Sequence, residues 1–395
     1  MLKCASVYTY EIDDRTAALD EINKQINEKL TLLDNTVGII MCHTEFISSG
    51  MLGYICVNLP FDVIGISTAA QAVNDEAGEL ILTIFVMTSD DVRFKTGLAD
   101  NLKNGLDESV KSAYEAASEG ETETPRLALI FPPILLKYYA GDDYVKTWQN
   151  LIPETPLFGT LAMDDTPTFE DSETIFKGKN SKNAMPFVLC YGNINPSFRI
   201  GTIPKEKVMH YTGEITKSSG SIIQEINGIS AYKYFESIGF EKDGVSSVNY
   251  LFLPFLIDQR KRTDYDGIPV IRVLSYFNED GSATFHGNVD EGSTFTLLKC
   301  ESEDILSTAK NCVNEVSEMK DVNGVLLFSC IVRRIVTMSG GNSDANEEFE
   351  TVKKVLGPVT PFMMGCAGGE ICPTLGTSNT LTNRYHEYTL VILII

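Results

Sequence analysis

The chain is 395 residues long, 43% hydrophobic and 22% charged, with a formal net charge of −22. That length gives a prior of two domains or one large one, and it is ample for a sizeable core. So much acid argues against nucleic acid, whose phosphates need Lys and Arg, and against docking on anionic lipid through a basic patch, and it favours solubility.

Apolar positions at steps of three or four (Leu19, Ile22, Ile26, Leu30 and Leu33) predict an amphipathic helix near the start of the chain. "TVGIIMC" (36–42) follows as a buried strand, then a short helix and the strand "FDVIGIS", completing a β-α-β unit. "GELILTIFVMT" (78–88) is a further strand, and Leu98, Leu102, Leu106 and Val110 predict a long helix. The polar stretch "SEGETETP" (118–125) is a loop or linker.

A second unit begins with "RLALIF", continues through a helix carrying Val145, Trp148 and Leu151, and reaches "TPLFGTLAMDD". "ETIFKG" and "MPFVLCYG" are its closing strands. A third unit lies at the far end. It has the strand "GVLLFSC" (324–330), a helix over 346–358 with Gly357 as C-cap signal and Pro358 as stop, and the strand and turn "TPFMMGCAGGEI". "HEYTLVILII" is apolar on both faces and reads as a central strand. Between the second and third units, 220–240 reads as a strand, a turn at Asn227-Gly228 and a helix ended by Gly239, and "GIPVIRVLSYFNEDGSATFHGNVDEGSTFTLLK" (267–299) as three strands with turns at Asp280-Gly281 and Glu291-Gly292. A helix with Ile305, Leu306, Ala309, Val313 and Val316 leads into the third unit. The whole is a mixed α/β protein of repeated β-α-β units with added hairpins, in two packed halves divided near 215 (1–215 and 216–395). Units one and three are expected to share one strand order.

In each unit a Gly follows an apolar run: Gly65, Gly159 and Gly365. At the C-terminal ends of strands the backbone diverges and leaves a crevice, and small residues there admit a ligand or another backbone. The three edges are expected to border a shared cleft, unless the glycines merely permit tight sheet packing.

The nine cysteines show no CxxC spacing, and Cys42, Cys190 and Cys330 lie in or beside apolar runs. That is the usage of reduced core thiols in a cytoplasmic protein. The N-terminus shows no apolar signal-peptide core, and the apolar runs are too short and interrupted to span a bilayer, so direct membrane insertion is not expected.

No P-loop occurs. "GISTA" (65–69) departs from a nucleophile elbow because Ala69 replaces the second Gly. The four histidines, His43, His210, His286 and His386, show no metal-ligand spacing, so no metal site is predicted. "MDD" (163–165) reads as a turn with exposed carboxylates rather than a metal seat. Ser67 and Cys366 follow strand-end glycines, yet neither has a recognisable base nearby.

As a set and in order, these motifs resemble the FIST family of sensory proteins, in both its N-terminal and C-terminal domains, over roughly 35–391. "FDVIGISTAA" resembles the family's strand with a Gly-small-Ser/Thr turn, and "PLFGTLAMDDTPTFEDSETIFKG" its Gly-x-Ala-x-Asp-Asp segment, with Thr160 where the family usually has a second Gly. "EINGISAYKYFESIG", "SCIVRR", "GCAGGEICP" and "YHEYTLVIL" resemble the C-terminal motifs. The resemblance implies a cytoplasmic small-ligand sensor that acts on a separate histidine kinase or diguanylate cyclase, with amino acids among the suggested signals. Some members of the family resemble haem proteins that answer nitric oxide.

The candidate ligand-binding residues are Ser67, Thr68, Asp164, Arg333, Cys366, Gly369, Glu370 and His386. Arg333 would grip a carboxylate and Glu370 an ammonium, which suits an amino-acid zwitterion. Alternatively the two pair with each other and brace the sheet. His386 is either a hydrogen-bonded structural histidine or a haem ligand, and no haem is expected. Binding without turnover is the expectation, with a haem-based sensor or a hydrolase working through Ser67 or Cys366 as alternatives.

Overall fold

The structure is a computed structural model describing residues 1–166, 169–239, 254–258, 269–339, 344–376 and 380–395, with the side chains of 205, 210 and 211 excluded. Pro167 and Thr168 of the Asp-Asp segment, Gly267 and Ile268, and the His210 side chain therefore lie outside the described residues.

Three six-stranded sheets each contain one parallel pair, and that pair is the β-α-β unit. Asn35–Cys42 pairs with Asp62–Ser67, Leu127–Ile130 with Leu157–Thr160, and Val325–Cys330 with Phe362–Ala367. On its other side the first strand of each pair takes the unit's last strand antiparallel: Leu82–Ser89, Met185–Gly192 and Leu390–Ile394. An edge strand from the start of the unit follows: Lys3–Thr9, Val92–Ala99 and Ser197–Gly201. The expected common strand order is therefore present, and unit two shares it.

The hairpin after each Gly-bearing strand leaves its own sheet and joins the next unit's. Ala70–Val73 of unit one pairs with Phe362–Ala367 of unit three. Thr174–Phe176 of unit two pairs with Asp62–Ser67 of unit one, and Glu370–Leu375 of unit three with Leu157–Thr160 of unit two. Each unit thus completes another's sheet in a closed cycle.

An eight-stranded antiparallel region over 208–298 is inserted between Ser197–Gly201 and the helix Ser302–Ser317 of unit three. Its turns use positive φ where the sequence places Asn227-Gly228, Gly281 and Gly292.

Continuous apolar strands follow from this layering, because each sheet is buried on both faces. The inner faces meet in one core, which joins Val37, Ile39 and Ile64 to Leu129 and Phe158 and to Leu326, Phe328 and Leu393. Phe328 stacks on Phe158 at 5.0 Å and meets Phe131 edge-on at 6.1 Å. The outer faces lie under helices. Arg15–Lys29 buries Ala18, Ile22 and Ile26, and its N-terminus is capped by Asp14, whose carboxylate accepts from the amides of Thr16 and Ala17. The helix stops at Lys29, so Leu33 lies beyond it.

Two elements differ from the sequence reading. "HEYTLVILII" is not one strand, because Leu381–His386 and Leu390–Ile394 are separate strands on either side of 387–389. The long helix is shorter than expected. Leu98 belongs to the strand Val92–Ala99, and the helix runs only over Leu106–Ala117. The four-residue spacing is accidental across that junction. Pairing with Met185–Gly192 overrides it, with Gly97 making room for the Phe187 ring.

Candidate functional site

The three strand ends do meet, and they are tied to one another directly. Met163 of unit two donates its amide to the Ser67 carbonyl of unit one at 3.0 Å. Gly368 of unit three donates to Leu161 of unit two, and Leu161 to Gly369, both at 3.1 Å. Ala69 of unit one donates to Cys366 of unit three at 3.4 Å. The glycines serve this packing. A Cβ on Gly65 would overlap the carbonyl oxygen of Ile40, one on Gly159 that of Ile130, and one on Gly365 the Met41 sulfur. Gly369 has φ +105°, and the Tyr385 hydroxyl lies where its Cβ would be.

The polar side chains around this junction are occupied locally. Ser67 Oγ accepts from the Glu173 amide at 2.8 Å, and Thr68 Oγ1 accepts from the side-chain amide of Gln71. Asp164 is buried, and its two oxygens accept from the amides of Thr166 and Asp171 at 2.6 and 2.8 Å. Asp165 is the exposed carboxylate of the pair, and it faces His43 Nε2 at 3.3 Å. Burial pushes the Cys366 thiol up to about 12, so no thiolate is available at neutral pH.

Arg333 and Glu370 form a different setting. The helix Ile331–Ser339 starts directly after Cys330, which carries Arg333 into the interior at 0% exposure. Arg333 does not pair with Glu370. Its Nε and Nη2 donate to Glu348 Oε1 at 3.1 and 2.6 Å, and Nη2 also reaches the Ile305 carbonyl at 3.1 Å. Ser329 Oγ donates to the other Glu348 oxygen at 2.8 Å. Arg333 Nη1 is buried and has no hydrogen-bond partner among the described residues.

Glu370 is 0% exposed. Its Oε2 accepts from Thr389 Oγ1 at 2.7 Å, and its Oε1 is buried without a partner among the described residues. Burial pushes the Glu370 carboxyl well above the usual range, against the opposing pull of the Thr389 hydrogen bond and the Arg333 charge. Each of the two residues feels the other's charge. A cation and an acid, each with one buried atom left open, lie at adjoining strand ends of unit three.

His386 stands opposite Glu370 in the hairpin register. Its Nε2 lies 3.0 Å from the Cys372 carbonyl oxygen, and burial pushes its pKa down to about 3. The bond leaves only Nδ1 for iron, and the ring is buried within a packed hairpin that haem would have to open, so the arrangement does not fit a haem ligand. Among the described residues no group of three or more His, Cys, Asp or Glu is placed to hold a metal.

The sequence reading missed Glu348 and Thr389, the partners that define this setting, and a second buried cluster. There Arg272 of the inserted region donates to both oxygens of Asp142 at 2.8 and 3.0 Å, and Glu387 Oε2 accepts from the Val273 amide at 2.6 Å. The segment 387–389 links the clusters, because Thr389 holds Glu370 and Glu387 holds the inserted region. Thr389 was visible within the terminal motif. Glu348 and Asp142 lie on amphipathic helices, where an acid ordinarily signals a solvent face.

No helix among the described residues is long and apolar enough to cross a membrane. No curated protein matches the chain. The family models for the FIST N domain and the FIST C domain match residues 36–229 and 231–373, and the chain therefore belongs to the FIST family of small-ligand sensory domains.

Proposed function

We propose that this protein is a cytoplasmic small-ligand sensor that binds without turnover and acts on a separate histidine kinase or diguanylate cyclase. We place the ligand at Arg333 and Glu370, where it gives partners to Arg333 Nη1 and Glu370 Oε1. The observation that carries the reading is the pair of open buried atoms on a cation and an acid. An unpaired buried polar atom costs about 1–3 kcal/mol, more if charged, and a ligand that satisfies both recovers that cost only when bound. A sensor further requires that those contacts differ between two conformations, since a ligand shifts an equilibrium only by its differential affinity for them.

Supporting the non-catalytic reading, Ser67 Oγ is engaged by a backbone amide and Cys366 is held as a neutral thiol. The test is a thermal-shift screen of small carboxylates and amino acids, followed by calorimetry on wild type, Arg333→Lys and Ser67→Ala. Binding should weaken about tenfold or more in Arg333→Lys, the scale of one lost charge-assisted bond, and remain in Ser67→Ala. A ligand that binds both variants as tightly as wild type removes the site from Arg333.

A further inference from the structure

We infer that this site reads a carboxylate and has no place for an ammonium, so that its ligand is a small monocarboxylate rather than an amino-acid zwitterion. The inference rests on placing the ligand at Arg333 and Glu370. It corrects the division of labour read from the sequence, in which Glu370 would hold the amine.

The argument is an inventory of donors. Arg333 Nη1 carries N–H groups that meet no acceptor among the described residues. Glu370 is fully buried, and it accepts from Thr389, whose hydroxyl goes to Oε2. The nearby cation is already committed to Glu348 through two of its nitrogens. The other groups in the field of Glu370 include Glu387, Cys330, Cys372 and Tyr385, and none of these is cationic.

An ionised carboxylate in that setting carries a large desolvation cost, which outweighs the Thr389 hydrogen bonds and the pull of an Arg333 already shared with Glu348, so the acid takes up a proton. Because Oε2 accepts from Thr389, the proton belongs on Oε1, the oxygen without a partner. The raised pKa of Glu370 agrees with this. Both open atoms are then donors. A carboxylate supplies two acceptor oxygens and a negative charge for Arg333. An ammonium supplies only donors and a second positive charge, so it meets donor against donor. The surroundings limit the rest of the ligand, since Ile305, Cys330, Cys366 and Tyr388 belong to one packed apolar cluster. Short aliphatic acids suit that environment.

The experiment is calorimetry on the full chain with acetate, propionate and butyrate against glycine, alanine and 2-aminobutyrate. It is repeated on Glu370→Gln, whose amide both accepts from Thr389 and donates. Wild type should bind the best carboxylate at least about tenfold tighter than its amino counterpart, a factor worth about 1.4 kcal/mol. Glu370→Gln should retain carboxylate binding within about threefold, because a neutral donor remains. Arg333→Lys should lose it, and if that variant does not fold, the wild-type selectivity and Glu370→Gln decide the matter. Equal or tighter binding of the amino acids, or loss of carboxylate binding in Glu370→Gln, overturns the inference. If the amino acids bind and Glu370→Gln abolishes that binding, the ligand site stands and only its chemistry is reassigned. If neither class binds, or no variant alters binding, the site itself is wrong as well.

Discussion

Gly65 and Gly159 occupy equivalent places in two different units, each with its α-carbon against a carbonyl oxygen of the neighbouring parallel strand, Ile40 in one and Ile130 in the other. Both lie where the exchanged hairpins depart. A methyl group at either place must push two paired strands apart, and backbone yields less readily than a side chain.

Gly65→Ala and Gly159→Ala should therefore each destabilise the protein by about 3 kcal/mol, the upper end of ordinary overpacking costs. Gly78→Ala is the control, since a Cβ there makes only ordinary contacts with the Tyr10 ring at 3.6 and 3.7 Å. It should stay within about 0.5 kcal/mol of wild type. Urea unfolding measures all three, and a mild Gly65→Ala would show that the strand pair is looser than the geometry implies.

How far this fold was legible follows from where its information lies. The unit strands could be read because both faces of each sheet are buried, which writes unbroken apolar runs such as "VGIIMC" and "GVLLFSC" into the chain. The Gly after each run was also visible, and with it the threefold recurrence. The exchange of hairpins was not. Nothing local distinguishes Ala70–Val73 pairing with Phe362–Ala367 from pairing within its own unit, because the choice depends on contacts nearly 300 residues apart. The site was half legible. Arg333 and Glu370 stood out as charges beside apolar strands, but the carboxylate that Arg333 grips sits on the helix Glu347–Leu356 among other acids, where Glu348 looks like one more solvated residue.

Thiol chemistry tests the non-catalytic reading. All nine cysteines are free, and all but the partly exposed Cys312 are buried. Burial pushes Cys366 up to about 12 and Cys330 well above the normal range. The thiolate is the reactive form. Burial pushes Cys312 up to about 11 as well, so native protein should release at most about one equivalent of thionitrobenzoate from Ellman's reagent, and slowly, against nine after unfolding. Fast labelling of Cys366 in the native state, located by mass spectrometry, would revive the nucleophile.

Haem addition separates the gas-sensor alternative from the one favoured here. His386 is held at 3.0 Å from the Cys372 carbonyl oxygen and is pushed down to about 3 by burial. We expect no Soret band to survive desalting after haem reconstitution. A band that survives in wild type and is lost in His386→Ala would mean that the hairpin opens to receive iron.

The last prediction concerns pH and follows from buried groups of opposite sign. Burial pushes Glu387 up to about 8 from an ordinary 4.5, with Asp142 adding to the rise and Arg272 and the Val273 amide opposing it. The folded protein then keeps a proton on Glu387 between those values while the unfolded chain releases it. Stability falls as pH rises through that window, by about 1.4 kcal/mol for each pH unit separating the two pKa values. Glu370 acts in the same direction. His286 and His386 act on the acid side. Their pKa values are pushed down to about 4 and about 3 from 6.5, so the unfolded chain takes up protons that the folded protein refuses, and stability is lost as pH falls below 6.5. Together these limbs give a stability maximum in weakly acidic solution, with a decline toward pH 9. Glu387→Gln keeps an acceptor for the Val273 amide and cannot ionise, so it should flatten the alkaline decline and leave the acid limb in place. Urea unfolding of wild type and Glu387→Gln at about pH 4, 6 and 9 checks this. A variant that declines as steeply as wild type between pH 6 and 9 would show that Glu387 is already ionised in the folded protein and that Arg272 serves it and Asp142 together.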